Sequence, residues 1–358
     1  MLAVIRDWYH RNFTDPQAVI LVLLLLAVFA IILFFGDILA PVIVALVMAY
    51  LLEGPVALLQ RIGIPRTLAV FAVILVFITV SLVLVFGLLP VLSNQVTDVV
   101  RALPGMVSSG QEQLMRLPDL YPDIFTAEQI SVLIANVRAE VGLMGQHILS
   151  FSIARLGTVV IIAIYAVLVP LMVFFALKDK QLLLAWAGKF VPSKSELSFQ
   201  VWREVDVKIA NYIRGKFVEI SIVWVTSYIV FAVMDLNYSL LLSFLVGLSV
   251  IVPFVGAVAV TVPIALIAFF QWGLSANFWW LLLIYQVIQI LDGNVLVPLL
   301  FSEVVNLHPL AIVVAVLFFG GIWGLWGVFF AIPLATLVQA VLNAWPRERP
   351  LSNPVPSA

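Results

Sequence analysis

Apolar residues fill this chain in blocks rather than in alternating stripes. Residues 18–35, 67–89 and 158–177 each run about 20 residues without a charged side chain, enough at 1.5 Å per helical residue to cross a hydrocarbon core of about 30 Å. The blocks predict membrane-spanning helices. Span 1 covers residues 16–35, Gly36 and Asp37 make a tight turn, and a short span 2 follows over 38–52. A loop with Pro55, Gly63 and Pro65 occupies 53–66, span 3 ends at Leu89, and span 4 covers 156–177. A membrane barrel is excluded, because its strands would alternate apolar and polar residues at every step.

Polar stretches separate the blocks. Residues 1–15 form a leader ahead of Pro16, a residue suited to begin a helix. Residues 90–155 read as an amphipathic helical region outside the cytoplasm. Thr126-Ala127-Glu128-Gln129 has the form of a capping box there, followed by Ile130, Leu133, Ile134, Val137 and Val141 at helical spacing. In 178–216 a second capping box, Ser193 with Glu196, precedes a stripe of Val201, Val205, Ile209 and Ile213. It predicts an amphipathic helix lying along the membrane surface and leading into span 5 at 217–234.

The last third is patterned differently, and residues 217–345 are expected to form a transport core. The apolar stretch 239–270 is broken at Val252-Pro253-Phe254-Val255-Gly256, leaving two arms of about 14 residues, each too short to cross. The stretch 308–342 is broken likewise by Gly320, Gly321, Gly324 and Gly327, and between them runs a full span, 277–297. Each broken stretch is either one kinked helix or a re-entrant hairpin. Hairpins would make span 5 plus 239–270 and the 277–297 span plus 308–342 an inverted repeat, an architecture that forms substrate sites from interrupted helices. Gly256 precedes Pro263 much as Gly327 precedes Pro333, a short echo of such a repeat.

Composition sharpens this fold class, an all-α polytopic membrane protein with five or six full spans and two broken or re-entrant hairpins. Hydrophobic residues make up 64% of the 358 and charged ones 10%, under half the quarter usual in soluble domains. Without cysteine there is no disulfide, thiolate site or cysteine nucleophile. Alternating the spans from a cytoplasmic N-terminus puts 14 of the 18 basic residues inside, and in 90–155 six acidic residues outnumber the other four. The positive-inside rule therefore predicts a multi-pass protein with both termini cytoplasmic, the tail being 346–358. No cleavable signal peptide is expected, since the first apolar run begins at Ala18 and another follows at once. A net charge of −1 offers nothing to nucleic acid. Walker loops, metal-ligand spacings and nucleophile–base sets are not found, so the expectation is neither an enzyme nor a protein with a cofactor.

Candidate chemistry gathers in the broken region. Gln286, Gln289 and Asp292 recur every three residues and fall on one helix face. An ionisable residue inside a membrane segment is a functional-site hypothesis by default. Asp292 is thus a proton carrier or fixed hydrogen-bond acceptor on a solute pathway with Gln286, Gln289 and Asn294. Alternatively, Asp292-Gly293-Asn294 ends the helix near the interface, with Pro298 confirming the stop. Pro253, Gly256 and Gly324 free backbone groups at membrane depth, where irregular backbone survives only inside protein or beside a wet cavity. Gly320, Gly321, Gly327 and Pro333 serve as hinges or as close-packing positions. His308, before Pro309, is either a second proton-coupling group or a helix cap. Arg214 and Gly215 belong to a basic helix that reads as a surface element with snorkelling side chains, or as a gate and hinge.

In order, Tyr212-Ile213-Arg214-Gly215-Lys216, Ile251-Val252-Pro253-Phe254-Val255-Gly256, Gln289-x-x-Asp292-Gly293-Asn294-x-x-x-Pro298, Leu307-His308-Pro309-Leu310 and Ile332-Pro333-Leu334 resemble the autoinducer-2 exporter family. Family members often carry glutamate where this chain has Asp292, so the acid here is shorter. The resemblance implies a secondary transporter or exporter of about eight membrane segments, assembled as a homo-oligomer with a pentamer as the candidate. It implies a small polar solute such as autoinducer-2, a furanone derivative of dihydroxypentanedione, or alternatively sodium/proton antiport. Outside both stands a scaffold reading, in which 90–155 binds a partner.

Overall fold

At membrane depth a backbone has no water to bond, so each apolar block must satisfy its own amides by coiling. The computed structural model of the chain describes residues 16–114, 156–189, 196–253, 255–301 and 307–344, with isolated positions between 126 and 139; its elements among these are all helical. They are α1 (Pro16–Arg61), α2 (Arg66–Val83), α3 (Leu89–Leu114), α4 (Leu156–Lys178), α5 (Lys180–Gly188) and α6 (Glu196–Val233). There follow α7 (Ser239–Ser249), α8 (Val255–Trp272), α9 (Ala276–Leu291), α10 (Val297–Phe301) and α11 (Pro309–Ala344). Two π-helical turns, Leu84–Leu88 and Asp292–Leu296, join α2 to α3 and α9 to α10. Six segments among the described residues are long and apolar enough to cross a membrane, so the chain is an all-α polytopic membrane protein.

Several expected breaks are shifted or absent. Gly36 and Asp37 are helical, and α1 leaves helical geometry at Phe35 instead (φ −120°, ψ 16°). The expected loop 53–66 contracts to residues 62–65, with Gly54 and Pro55 inside α1. Neighbouring helices can satisfy the carbonyl that a proline frees, so proline does not end a membrane helix as it ends a soluble one. Helix also runs past Leu89 into the region expected to be soluble, as far as Leu114, the last described residue of that stretch. The Thr126 capping box lies largely outside the described residues, as do Ser193 and Phe254.

The chain folds as two compact units. One comprises Met1–Gly54, Phe175–Gly215 and Phe301–Ala358; the other comprises Pro55–Phe174 and Lys216–Leu300. In the first unit, the apolar stripe of α6 does not lie open as a surface helix would. Val205 is buried with Ala340 of α11, and Ile209, Leu337 and Val341 pack around them. Polar ties reinforce the packing: Tyr50 donates to Asp206 at 2.6 Å, Arg214 Nε donates to the Tyr50 carbonyl at 3.2 Å, and buried Tyr212 donates to the Phe329 carbonyl at 3.0 Å. Tyr212→Phe strands that carbonyl while keeping the ring. It is expected to lower stability by about 1–2 kcal/mol, read from unfolding in detergent.

The second unit is built around α7 and α8. Its core joins Phe231 of α6, Leu242 and Val246 of α7, Ile264 of α8, and Leu281 and Tyr285 of α9. The early amides of α7 need a partner, and Gln95 of α3 accepts the Leu241 N–H at 2.8 Å.

Candidate functional site: a buried ion pair at a hairpin tip

Both broken stretches fold back on themselves. Ser249 ends α7, residues 250–253 turn, and α8 returns so closely that a Cβ on Gly256 would overlap the Ser249 carbonyl. In α11 the reversal falls at Gly324, whose φ of 58° and ψ of −134° suit glycine alone. A Cβ on Gly327 would overlap the Phe319 carbonyl, and Ala315, Phe319 and Ala331 share one buried cluster. The hairpin reading therefore holds for both stretches, with Gly256 and Gly327 in matching roles. The arms of the first hairpin are unequal, 11 residues in α7 and 18 in α8, rather than two of about 14.

The first hairpin is fastened at both ends. At its base, Gln271 of α8 accepts the Asn237 N–H at 2.7 Å and donates to the Asp235 carbonyl at 2.6 Å, holding a turn in which Asp235 and Tyr238 have positive φ. At its tip, Lys216 Nζ donates to the Val250 carbonyl at 2.7 Å. The same ammonium pairs with Glu219 at 2.7 Å, one turn along α6 and on the same face. Lys216 and Glu219 are 4% and 2% exposed. Charges so buried persist only when paired and hydrogen-bonded.

Asp292 completes the cluster. It begins the π-helical turn between α9 and α10 and acts electrostatically on both Lys216 and Glu219. Its Oδ1 is buried without a hydrogen-bond partner among the described residues, as is Nε2 of Gln289 one turn before. Asp292-Gly293-Asn294 thus does not end the helix; the chain widens by one residue per turn there and continues to Phe301. Single π turns of this kind recur at functional sites.

The other anticipated residues separate. Gln286 is exposed, and Asn294 is exposed and donates to the Ile290 carbonyl of its own helix at 2.9 Å. Exposed His308 accepts the Leu310 N–H on Nδ1 at 3.2 Å, capping α11. Gly215 is buried where a Cβ would press on the Phe301 ring at 2.7 Å, a packing position. Pro253 sits half-buried in the tip of the first hairpin; Gly320, Gly321 and buried Pro333 belong to the second. A cavity of about 560 Å³ in the first unit is lined mainly by apolar residues including Ile43, Ile213, Trp323, Trp326 and Phe330. It suits an apolar body better than a small polar one. Among the described residues no His, Cys, Asp and Glu grouping could hold a metal by those side chains alone.

Sequence reasoning passed over Lys216 and Glu219, reading their stretch as a surface helix. A lysine and a glutamate three apart signal an exposed pair as readily as a buried one; what marks these two is their place at the very start of span 5.

The profile described as AI-2E family transporter matches residues 20–347. The chain belongs to the AI-2E transporter family. It is 46% identical to PerM of Escherichia coli (strain K12), named as a candidate permease, over 97% of this chain and 98% of PerM. YueF of Bacillus subtilis (strain 168), named as a candidate transport protein, is 25% identical over 86% of this chain and 84% of its own. TqsA of Escherichia coli (strain K12), named an AI-2 transport protein, is 24% identical over 87% of each. For this AI-2E family member, Lys216 and Glu219 fall within a segment, Val205–Val233, that is long and apolar enough to cross a membrane.

Proposed function

We propose that the chain is a secondary transporter exporting a small polar solute across the bacterial inner membrane, with both termini in the cytoplasm. The observation that carries this reading is the first hairpin: an interrupted pair of apolar helices, its tip carbonyl held by a buried lysine beside two carboxylates. Interrupted helices offer unpaired amides and carbonyls to a polar solute, as transporter sites do. Gln289 and Asp292, each with an unpartnered buried atom, supply the side-chain hydrogen bonds. AI-2, for which the relative TqsA is named, is the first solute to try. The ion pair favours a second reading, exchange of a monovalent cation for protons.

Protein reconstituted in liposomes is to be loaded with labelled AI-2, with a sodium-sensitive dye in a parallel set under a pH gradient. Efflux of AI-2 that falls about tenfold or more in Asp292→Asn, with the protein still folded, is the expected result. Sodium flux without any solute efflux would instead establish antiport. No flux of either kind from wild type would sink the transport reading.

A further inference from the structure

Lys216 Nζ sits in a cradle of oxygens: the Glu219 carboxylate and the Val250 carbonyl at 2.7 Å each, with the Asp292 carboxylate in electrostatic reach. These are hard donors of the kind that bind hard cations, and they come from three places: α6, the hairpin tip and the π turn. Among the described residues two acids face one base, so the cradle holds less positive charge than its carboxylates can balance. An ammonium on a four-carbon stem is a compact point charge that can leave by rotating its own bonds. A free monovalent cation taking its place would leave the net charge unchanged.

We infer that Lys216 is a tethered cation occupying a binding site for a free monovalent metal cation, and that the two exchange. Either occupant holds Glu219, Val250 and Asp292 together, but only the lysine ties α6 to the tip of the hairpin. Cation entry therefore releases α6 from that tip. This inference rests on the transport reading for its purpose, though the site itself requires no transported solute.

Two measurements test it, with sodium chloride as probe and choline chloride at equal ionic strength as reference. In Lys216→Met the cradle lacks its cation. Sodium is expected to raise the melting temperature of the variant in detergent by about 5 °C or more over choline, wild type moving much less. Adding Glu219→Gln and Asp292→Asn should abolish the response. In wild type, reductive methylation followed by mass spectrometry should show Lys216 modified several-fold faster in sodium, while exposed Lys178 is unchanged. A variant that melts alike in both salts overturns the inference, as does Lys216 labelling indifferent to sodium. Should the variant not fold, the labelling decides alone. Protein that passes here and moves no solute defeats only the transport reading, and protein that moves solute but fails here defeats only this one.

Discussion

Glu219→Leu is expected to cost about 3–5 kcal/mol of stability, the usual result of leaving one member of a buried ion pair without the other. The remaining ammonium of Lys216 keeps the Val250 carbonyl and the electrostatic attraction of Asp292 but loses its 2.7 Å carboxylate at a position only 4% exposed. Solvent screening, which makes exposed pairs nearly worthless, is weak at 2% exposure. Removing both charges together, as Lys216→Met with Glu219→Leu, should recover most of the loss, because the desolvation cost of the pair disappears with it. A double-mutant cycle on unfolding midpoints in mixed micelles measures this. Two single substitutions that simply add would show the pair is not coupled, whatever its distance.

Gly256→Ala is expected to be nearly as damaging through pure sterics. The new methyl group would overlap the Ser249 carbonyl, which is backbone and has no rotamer by which to withdraw. The arms of the hairpin must part, opening the packing of Val246 and Ile264 behind them. Overpacked cores lose about 1–3 kcal/mol, and an immovable backbone obstacle puts this change at the upper end or beyond. Gly105→Ala is the matched control: it lies in α3 with nothing within 4 Å of the added carbon, and should be neutral or gain up to about 1 kcal/mol. Equal yields of folded protein from the two variants would overturn the role given to Gly256.

Where the sequence spoke for the fold, it did so through residues with a backbone obligation. Gly256, Gly324 and Gly327 could be placed because close approach and positive φ have few substitutes, and apolar blocks such as 158–177 match the observed α4 (Leu156–Lys178). Pro55 and the Asp292 triplet misled for a common reason. Signals that stop a helix in water stop it because water takes up the freed groups, and inside a membrane protein the helix bends or widens instead. The site was half legible. Asp292 and Gln289 stood out as polar residues in an apolar run, but Asn294 turned out to bond its own helix, an option open to any asparagine within one. Lys216 was invisible as a site residue because its deciding partner, the Val250 carbonyl, lies 34 residues away, and no local pattern encodes that meeting.

The brevity of α7 has a bearing on how the protein is made. Eleven residues span about 16 Å, roughly half of a bilayer core, so this segment cannot partition into lipid as an independent helix when it leaves the ribosome. It must wait for α8 to emerge and enter beside it. Even then its supports arrive in sequence: Gln271 closes the base from the end of α8, and Tyr285 of α9 bonds the Ala257 carbonyl near the tip at 2.9 Å. During synthesis there is thus an interval, ending only when α9 is in place, in which a hydrophobic half-hairpin stands unsupported. Truncation after Trp272 should leave that intermediate as the species the cell's quality control encounters.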